Sequence, residues 1–255
     1  MNTAINRRDF LTAVTTGIAL AALSDTTNAA EFLEDDKPPV TLISAFAANL
    51  ELKPLPFDPA KLNGLSEKLI KSHWENNYGG SVKALNTVKQ RLQAFLDDAN
   101  IPPFMYNDLK REHLLRTGSV ILHDLYFGNL GGTEKAEATT NKLLAEAFGS
   151  SDNWEKEFKR IGAGLGGGSG WVVLGFNLHT GLLENYWQWD HAHAPTATLP
   201  ILVMDMYEHS YQMDFGAGAV AYIDAFMRNI HWQTVTTRLE KAMKMRALLI
   251  SGGQR

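Results

Sequence analysis

Two long apolar-periodic stretches, divided by Pro102-Pro103, constrain this chain more than any other feature. From Leu62 to about Ala99, apolar residues recur at three- and four-residue steps: Leu65, Leu69, Ile70, Trp74, Val82, Leu85, Val88, Leu92, Phe95 and Leu96. That period is helical. Paired prolines cannot continue a helix, so the first stretch stops there. A second runs from about Asn107 to Phe127, and Gly128, Gly131 and Gly132 close it. Two helices of this length with a short connection predict an antiparallel α-hairpin. Gly79-Gly80 falls inside the first. Two glycines cost roughly 2 kcal/mol against alanine in a helix, which predicts a kink or close packing at that point.

The rest of the chain changes character. Glu134–Phe148 and Asp152 to about Gly164 read as helices, followed by a glycine-rich segment, Gly162–Gly170. Three short apolar runs then read as strands: Trp171–Leu174, Leu182–Trp189 and Thr198–Met204. The tail from Ala217 to Ala247 reads as one more helical stretch, with Tyr222, Phe226, Ile230 and Leu239 as its apolar points. The expected class is α+β. A long α-hairpin domain over residues 56–133 is followed by an α/β domain over 134–250 with a three-stranded antiparallel sheet. The 45% hydrophobic content supplies a core for both.

The first thirty residues read as an address rather than as fold. Asn6-Arg7-Arg8-Asp9-Phe10-Leu11 sets two arginines before an apolar run from Ala13 to Leu23, and small residues follow at Thr27-Asn28-Ala29-Ala30. This is the pattern of a twin-arginine export signal. The run is too short for a membrane anchor, which needs about 20 apolar residues. The expected location is periplasmic or otherwise exported, with no stable membrane insertion after signal removal. Residues 31–55, with Glu34-Asp35-Asp36-Lys37-Pro38-Pro39, read as a flexible tether.

Composition narrows the chemistry. A net charge of −4 and the absence of a long basic run argue against nucleic acid as a partner. With no cysteine, thiol catalysis and iron–sulfur clusters are excluded, and any metal must sit on nitrogen and oxygen. Asp205-Met206-Tyr207-Glu208-His209 stands out, because an apolar strand delivers Asp205 at its end and His209 follows four residues on. A carboxylate and an imidazole so spaced can converge on one ion, although an ordinary surface Glu–His pair fits the same short pattern. His73 and His123 lie on buried stripes of the two hairpin helices, where a histidine is more often a core residue than a ligand. Taken together, three neutral nitrogens and one carboxylate suit iron or manganese with an open position, and zinc would accept them too.

These residues carry a resemblance. Asp205-Met206-Tyr207-Glu208-His209-Ser210-Tyr211 resembles the D-x-W-E-H-A-Y signature of the iron/manganese superoxide dismutase family. Gly168-Ser169-Gly170-Trp171 resembles its glycine-serine-glycine-tryptophan segment. Ser72-His73-Trp74 and Leu122-His123-Asp124-Leu125-Tyr126-Phe127 fall where its first and second histidine ligands fall. The resemblance runs from about Leu55 to Glu240. It implies metal ligation by His73, His123, Asp205 and His209, one iron or manganese per subunit, and superoxide as substrate. One superoxide would leave as oxygen and a second as hydrogen peroxide while the metal cycles between its 3+ and 2+ states. It also implies a homodimer in which Glu208 of one subunit bonds His209 of the other. Val203, where glycine often accompanies manganese, tips the expectation to iron.

Around the ligands the sequence departs from the family. Ser81 stands at the usual gate tyrosine, Asn77 at a histidine one turn earlier, Gln212 at the last tyrosine of the signature and Tyr207 at its tryptophan. An amide–amide bond between Asn77 and Gln212 across the dimer would replace the family's histidine–tyrosine contact. Ser119, where some members carry a glutamine that activates bound solvent, is too short for that task. The candidates shift to Trp187-Gln188-Trp189-Asp190-His191-Ala192-His193, with His191 first and Gln188 second, while His193 reads as a loop residue. His113, His179 and His231 read as structural or surface groups. Two competing functions remain at this stage: a non-catalytic metal-binding or interaction protein with an altered gate, and a zinc-dependent hydrolase, for which only Glu208 could serve as a base.

Overall fold

The computed structural model describes residues 44–252, so the expected export signal and the first part of the expected tether lie outside the described residues. Ala47 to Lys53, the end of that tether, run along the first helix. Lys89 Nζ donates to the Ala47 carbonyl (3.0 Å), Asn86 closes both of Leu50's backbone groups (3.0 and 2.9 Å), and Trp74 Nε1 donates to the Lys53 carbonyl (2.9 Å).

The first helix begins at α1, Glu67–Ser72, where the Ser66 hydroxyl caps the Leu69 amide. It passes through a π-helical turn, His73–Tyr78, into α2, Gly79–Phe95, with right-handed helical dihedrals at both junctions. The expected start near Leu62 is thus several residues early, because a separate 3-10 turn at Pro59–Lys61 precedes the cap. Gly79 keeps helical dihedrals, and Leu52 packs 3.3 Å from where its Cβ would be. Of the two outcomes expected for Gly79-Gly80, close packing is the one seen. The return helix α3, Pro103–Gly128, starts four residues before the expected Asn107, with Pro103 at the position where a missing N–H costs nothing.

Helices α4, Ala138–Phe148, and α5, Ser151–Gly164, meet at Gly149, whose φ of 82° only glycine adopts at little cost. The sheet follows, with strands β1, Trp171–Asn177, β2, Leu183–Gln188, and β3, Thr198–Asp205. It is three-stranded and antiparallel, as expected, and its strand order is β2-β1-β3. Trp171 to Leu174 and Ile201 to Met204 are buried. A strand covered on both faces loses the apolar–polar alternation. Trp171 pairs with Gln188 on one side and Asp205 on the other, so these three start one row across the sheet.

Past a 3-10 turn, Glu208–Ser210, and a short α6, Gln212–Phe215, the tail forms two helices rather than the single stretch expected. α7, Ala219–Arg228, and α8, Trp232–Gly252, are separated at Asn229 to His231. There Ile230 bridges to Leu130. The Asn229 side chain accepts from the Asn63 amide (2.7 Å) and donates to the Asn63 carbonyl (2.9 Å). Bonds of this kind compete with helix continuation.

Candidate metal centre

His73 opens the π turn and is 1% exposed, with Tyr126 and Phe127 of α3 packed against its ring at 5.1 and 4.9 Å. His123 also projects from α3, and its Nδ1 lies 2.7 Å from the Ser119 carbonyl. A carbonyl can only accept, so Nδ1 carries the proton and Nε2 presents its lone pair. Asp205 ends β3 opposite Trp171. Its Oδ1 accepts from the Tyr207 amide (2.8 Å), and its backbone carbonyl accepts from the Tyr222 hydroxyl (2.6 Å) and the Ser210 hydroxyl (2.9 Å). His209 returns on the turn that follows, with Nε2 3.2 Å from Asp205 Oδ2.

The four residues converge. One ligand atom from each of His73, His123, Asp205 and His209 lies within 4.8 Å of all the others. His73 Nε2 comes within 3.1 Å of Asp205 Oδ2, and His123 Nε2 within 3.6 Å. Neither contact has the alignment of a hydrogen bond, and both nitrogens are buried without a partner. Burial lowers the His73 imidazole and lowers His123 to about 3, so both stay neutral. Burial pushes the Asp205 carboxyl up, but the imidazoles of His209 and His73 outweigh it and hold the group well below the usual carboxylate range. A buried carboxylate beside unpartnered imidazole nitrogens calls for a cation. The donor set of three nitrogens and one oxygen fits iron or manganese. The orphaned Nε2 atoms are the structural sign that such an ion belongs there.

Of the other expected site residues, His191 is the one brought beside the cluster. Its ring centroid is 5.9 Å from that of His123. It stacks on Tyr207 at 4.7 Å and 11°, and Tyr207 in turn stacks on His209 at 5.3 Å. Trp171 Nε1 donates to His191 Nδ1 (3.0 Å). Indole only donates, so a neutral His191 carries its proton on Nε2. Gln188 is buried as well, but it sits beyond Trp171, two strands from Asp205 and roughly 10 Å away by sheet geometry, with Oε1 unpartnered. Ser81 is buried behind His123, where its hydroxyl meets that of Ser119 (2.7 Å). Asn77 is half-buried, and its side chain makes no hydrogen bond among the described residues. Glu208 is exposed and forms no ion pair among them.

Sequence reasoning missed Tyr78 and Tyr222. Tyr78 is buried and lies 6.1 Å from His123, with the rings 11° from parallel. It stands five residues after His73, a spacing that an α-helical reading puts on a different face. The π turn brings it round, and its Gly79 amide to Trp74 carbonyl bond has the i to i+5 span. Tyr222 showed only as an apolar point of the tail. No local signal linked it to Asp205.

Residues 136–238 match the family described as "Iron/manganese superoxide dismutases, C-terminal domain". The chain is 52% identical over 194 residues to a superoxide dismutase [Fe] of Cupriavidus metallidurans, covering 76% of this chain and 98% of that protein. It is 35% identical over 193 residues to a superoxide dismutase [Fe] of Aquifex aeolicus (73% and 89% covered). A superoxide dismutase [Mn] 1 of Halobacterium salinarum is 30% identical over 207 residues (75% and 96% covered).

Proposed function

The chain belongs to the iron/manganese superoxide dismutase family, and on that premise we propose that it works as an exported, dimeric iron enzyme converting superoxide to oxygen and hydrogen peroxide. The convergence of His73, His123, Asp205 and His209 on one point carries the reading. Iron is favoured because the relatives named for it are more similar than those named for manganese. The non-catalytic alternative finds no support in those relatives.

Bound iron would exchange single electrons with superoxide between its 3+ and 2+ states. The protein's own part is to hold and to orient. Asp205 supplies one negative charge, and its Oδ1 and carbonyl are pinned by other groups, so Oδ2 is the free ligand atom. The Ser119 carbonyl fixes the His123 tautomer. Trp171 leaves His191 with an Nε2–H free to donate, on a ring that lies 5.9 Å from that of His123. Catalysis is tested by loading the protein with iron or with manganese and measuring metal content together with superoxide consumption. The iron form is expected to be active and the metal-free form inactive. Stoichiometric iron without consumption above that of the free ion would sink the reading.

Dimer formation is supported by the exposed Glu208 carboxylate beside the ligand His209, whose side chain is 26% exposed. In the dimer Glu208 would bond His209 of the other subunit, and Asn77 would meet Gln212 across the same surface. Sedimentation of wild type and Glu208→Ala checks this, with a shift toward monomer expected. Export is supported by Arg7-Arg8 ahead of the apolar run to Leu23. Cell fractionation of an Arg7→Lys, Arg8→Lys chain should show it retained inside, and unchanged distribution would refute the route. No helix among the described residues is long and apolar enough to cross a membrane.

A further inference from the structure

Gly118 lies inside α3, five residues before His123, where a glycine weakens the helix. Its surroundings show what the missing side chain permits. An ideal Cβ there would stand 1.8 Å from the His191 carbonyl oxygen, 2.8 Å from the His191 carbonyl carbon and 3.5 Å from the His191 Cβ. All three contacts fall on one residue, and the closest two are backbone atoms, which cannot swing aside as a side-chain tip could. The loop after β2 therefore rests directly on the helix at Gly118. Two further contacts fix the imidazole: Trp171 Nε1 holds Nδ1 at 3.0 Å, and Tyr207 stacks on the ring face. The loop's own turn is closed by the Ala192 amide donating to Asp190 Oδ1 (2.6 Å).

We propose that Gly118 is a positioning residue for the dismutation centre, its bare Cα being the seat on which the His191 carbonyl rests so that the imidazole stays beside His123 and Tyr207. Every other residue at position 118 pushes the loop off α3 and draws His191 away from both Trp171 and the ion. Ser81 and Ser119, joined 2.7 Å apart behind His123, are too short to take over. The inference rests on the reading of His191 as the group that donates to solvent at the metal.

The test is a double-mutant cycle in the iron-loaded full chain, with Gly118→Ala, His191→Ala and the two combined. Three readouts are taken: iron content, the midpoint potential, and the His191 ring nitrogens by NMR of the metal-free protein. Gly118→Ala is expected to keep its iron and to lower turnover by up to about 100-fold, the scale of a 1 Å misplacement, and by no more than His191→Ala does. It should also move the reduction equilibrium roughly tenfold, about 59 mV for one electron, in the same direction as His191→Ala. The combination should add nothing to His191→Ala alone, because Gly118 acts through that side chain. A Gly118→Ala shift that persists in full in the His191→Ala background overturns the inference. So do a wild-type potential and unmoved ring resonances in Gly118→Ala. If the single variant does not fold, the same substitution is made in a chain with one glycine inserted between Ala194 and Pro195, which gives the loop slack. A potential equal to that of the insertion alone then overturns the inference. Inactive wild type with full iron would instead refute the reading of the centre.

Discussion

Asp205 does three separate things with three oxygens. Oδ1 caps the Tyr207 amide, the carbonyl takes two hydroxyls, and Oδ2 faces the histidines. Asp205→Asn keeps the first two and removes the charge. Iron affinity should then fall by more than about 100-fold while the fold persists, and metal analysis beside circular dichroism separates the two effects. His191→Ala should keep its iron and lose about 10- to 100-fold in turnover, measured per bound ion. The metal-free protein should also be acid-sensitive at this scale. His73 and His123 are held below their ordinary pKa by burial, so the unfolded chain binds protons that the folded one refuses. Their contribution is whole above about pH 6.5 and shrinks as pH falls below it, by about 1.4 kcal/mol per pH unit for each proton the unfolded chain binds and the folded one does not. Urea unfolding of the metal-free protein from pH 8 to pH 4 checks the slope, and equal midpoints throughout would contradict it.

At the scale of elements, the feature that matters most is the π turn His73–Tyr78. It absorbs one extra residue into an otherwise α-helical rod, its six residues turning through about the angle that five cover in an α-helix. Adding one alanine between Asn76 and Asn77 should exceed what the turn absorbs, rotate His73 by about 100° relative to α2 and abolish metal binding with most of the helix intact. Retained stoichiometric iron would show that the turn takes up a second residue. This element also marks where the sequence stopped being readable. The apolar period over Leu65 to Leu96 announced a helix, and the short runs at Trp171, Leu182 and Thr198 announced three strands, because each repeats over enough residues to outvote local noise. One added residue leaves no such trace. Counting in steps of four therefore put Asn77 and Ser81 beside His73 and passed over Tyr78. The break at Asn229 was hidden for a related reason, since its partner Asn63 is remote in sequence. The four residues that converge were legible through their flanking motifs, not through their spacing alone. Gly118 was not, because its meaning lies in a loop that returns from beyond β2.

Across the whole molecule, a few buried polar side chains tie distant parts together. Arg238 of α8 donates to the carbonyls of Leu125 (3.1 Å) and Ile201 (3.2 Å), and burial lowers its pKa to about 10, which leaves it charged. Asn129 Oδ1 accepts from the Val203 amide (3.0 Å), joining the end of the hairpin to β3. Arg238→Met should cost about 2–4 kcal/mol by leaving those carbonyls unpaired, read from urea unfolding, with iron content per folded molecule unchanged. The four converging residues have the same long reach: His73 comes from the first helix, His123 from the second, Asp205 from the end of the last strand and His209 from the turn after it. A growing chain therefore has no complete centre until its final helices are being made. An ion held by all four would bind late in folding, and a site of this donor type would take the metal its surroundings offer. Which metal fills it would then depend on where the chain closes as well as on the four side chains.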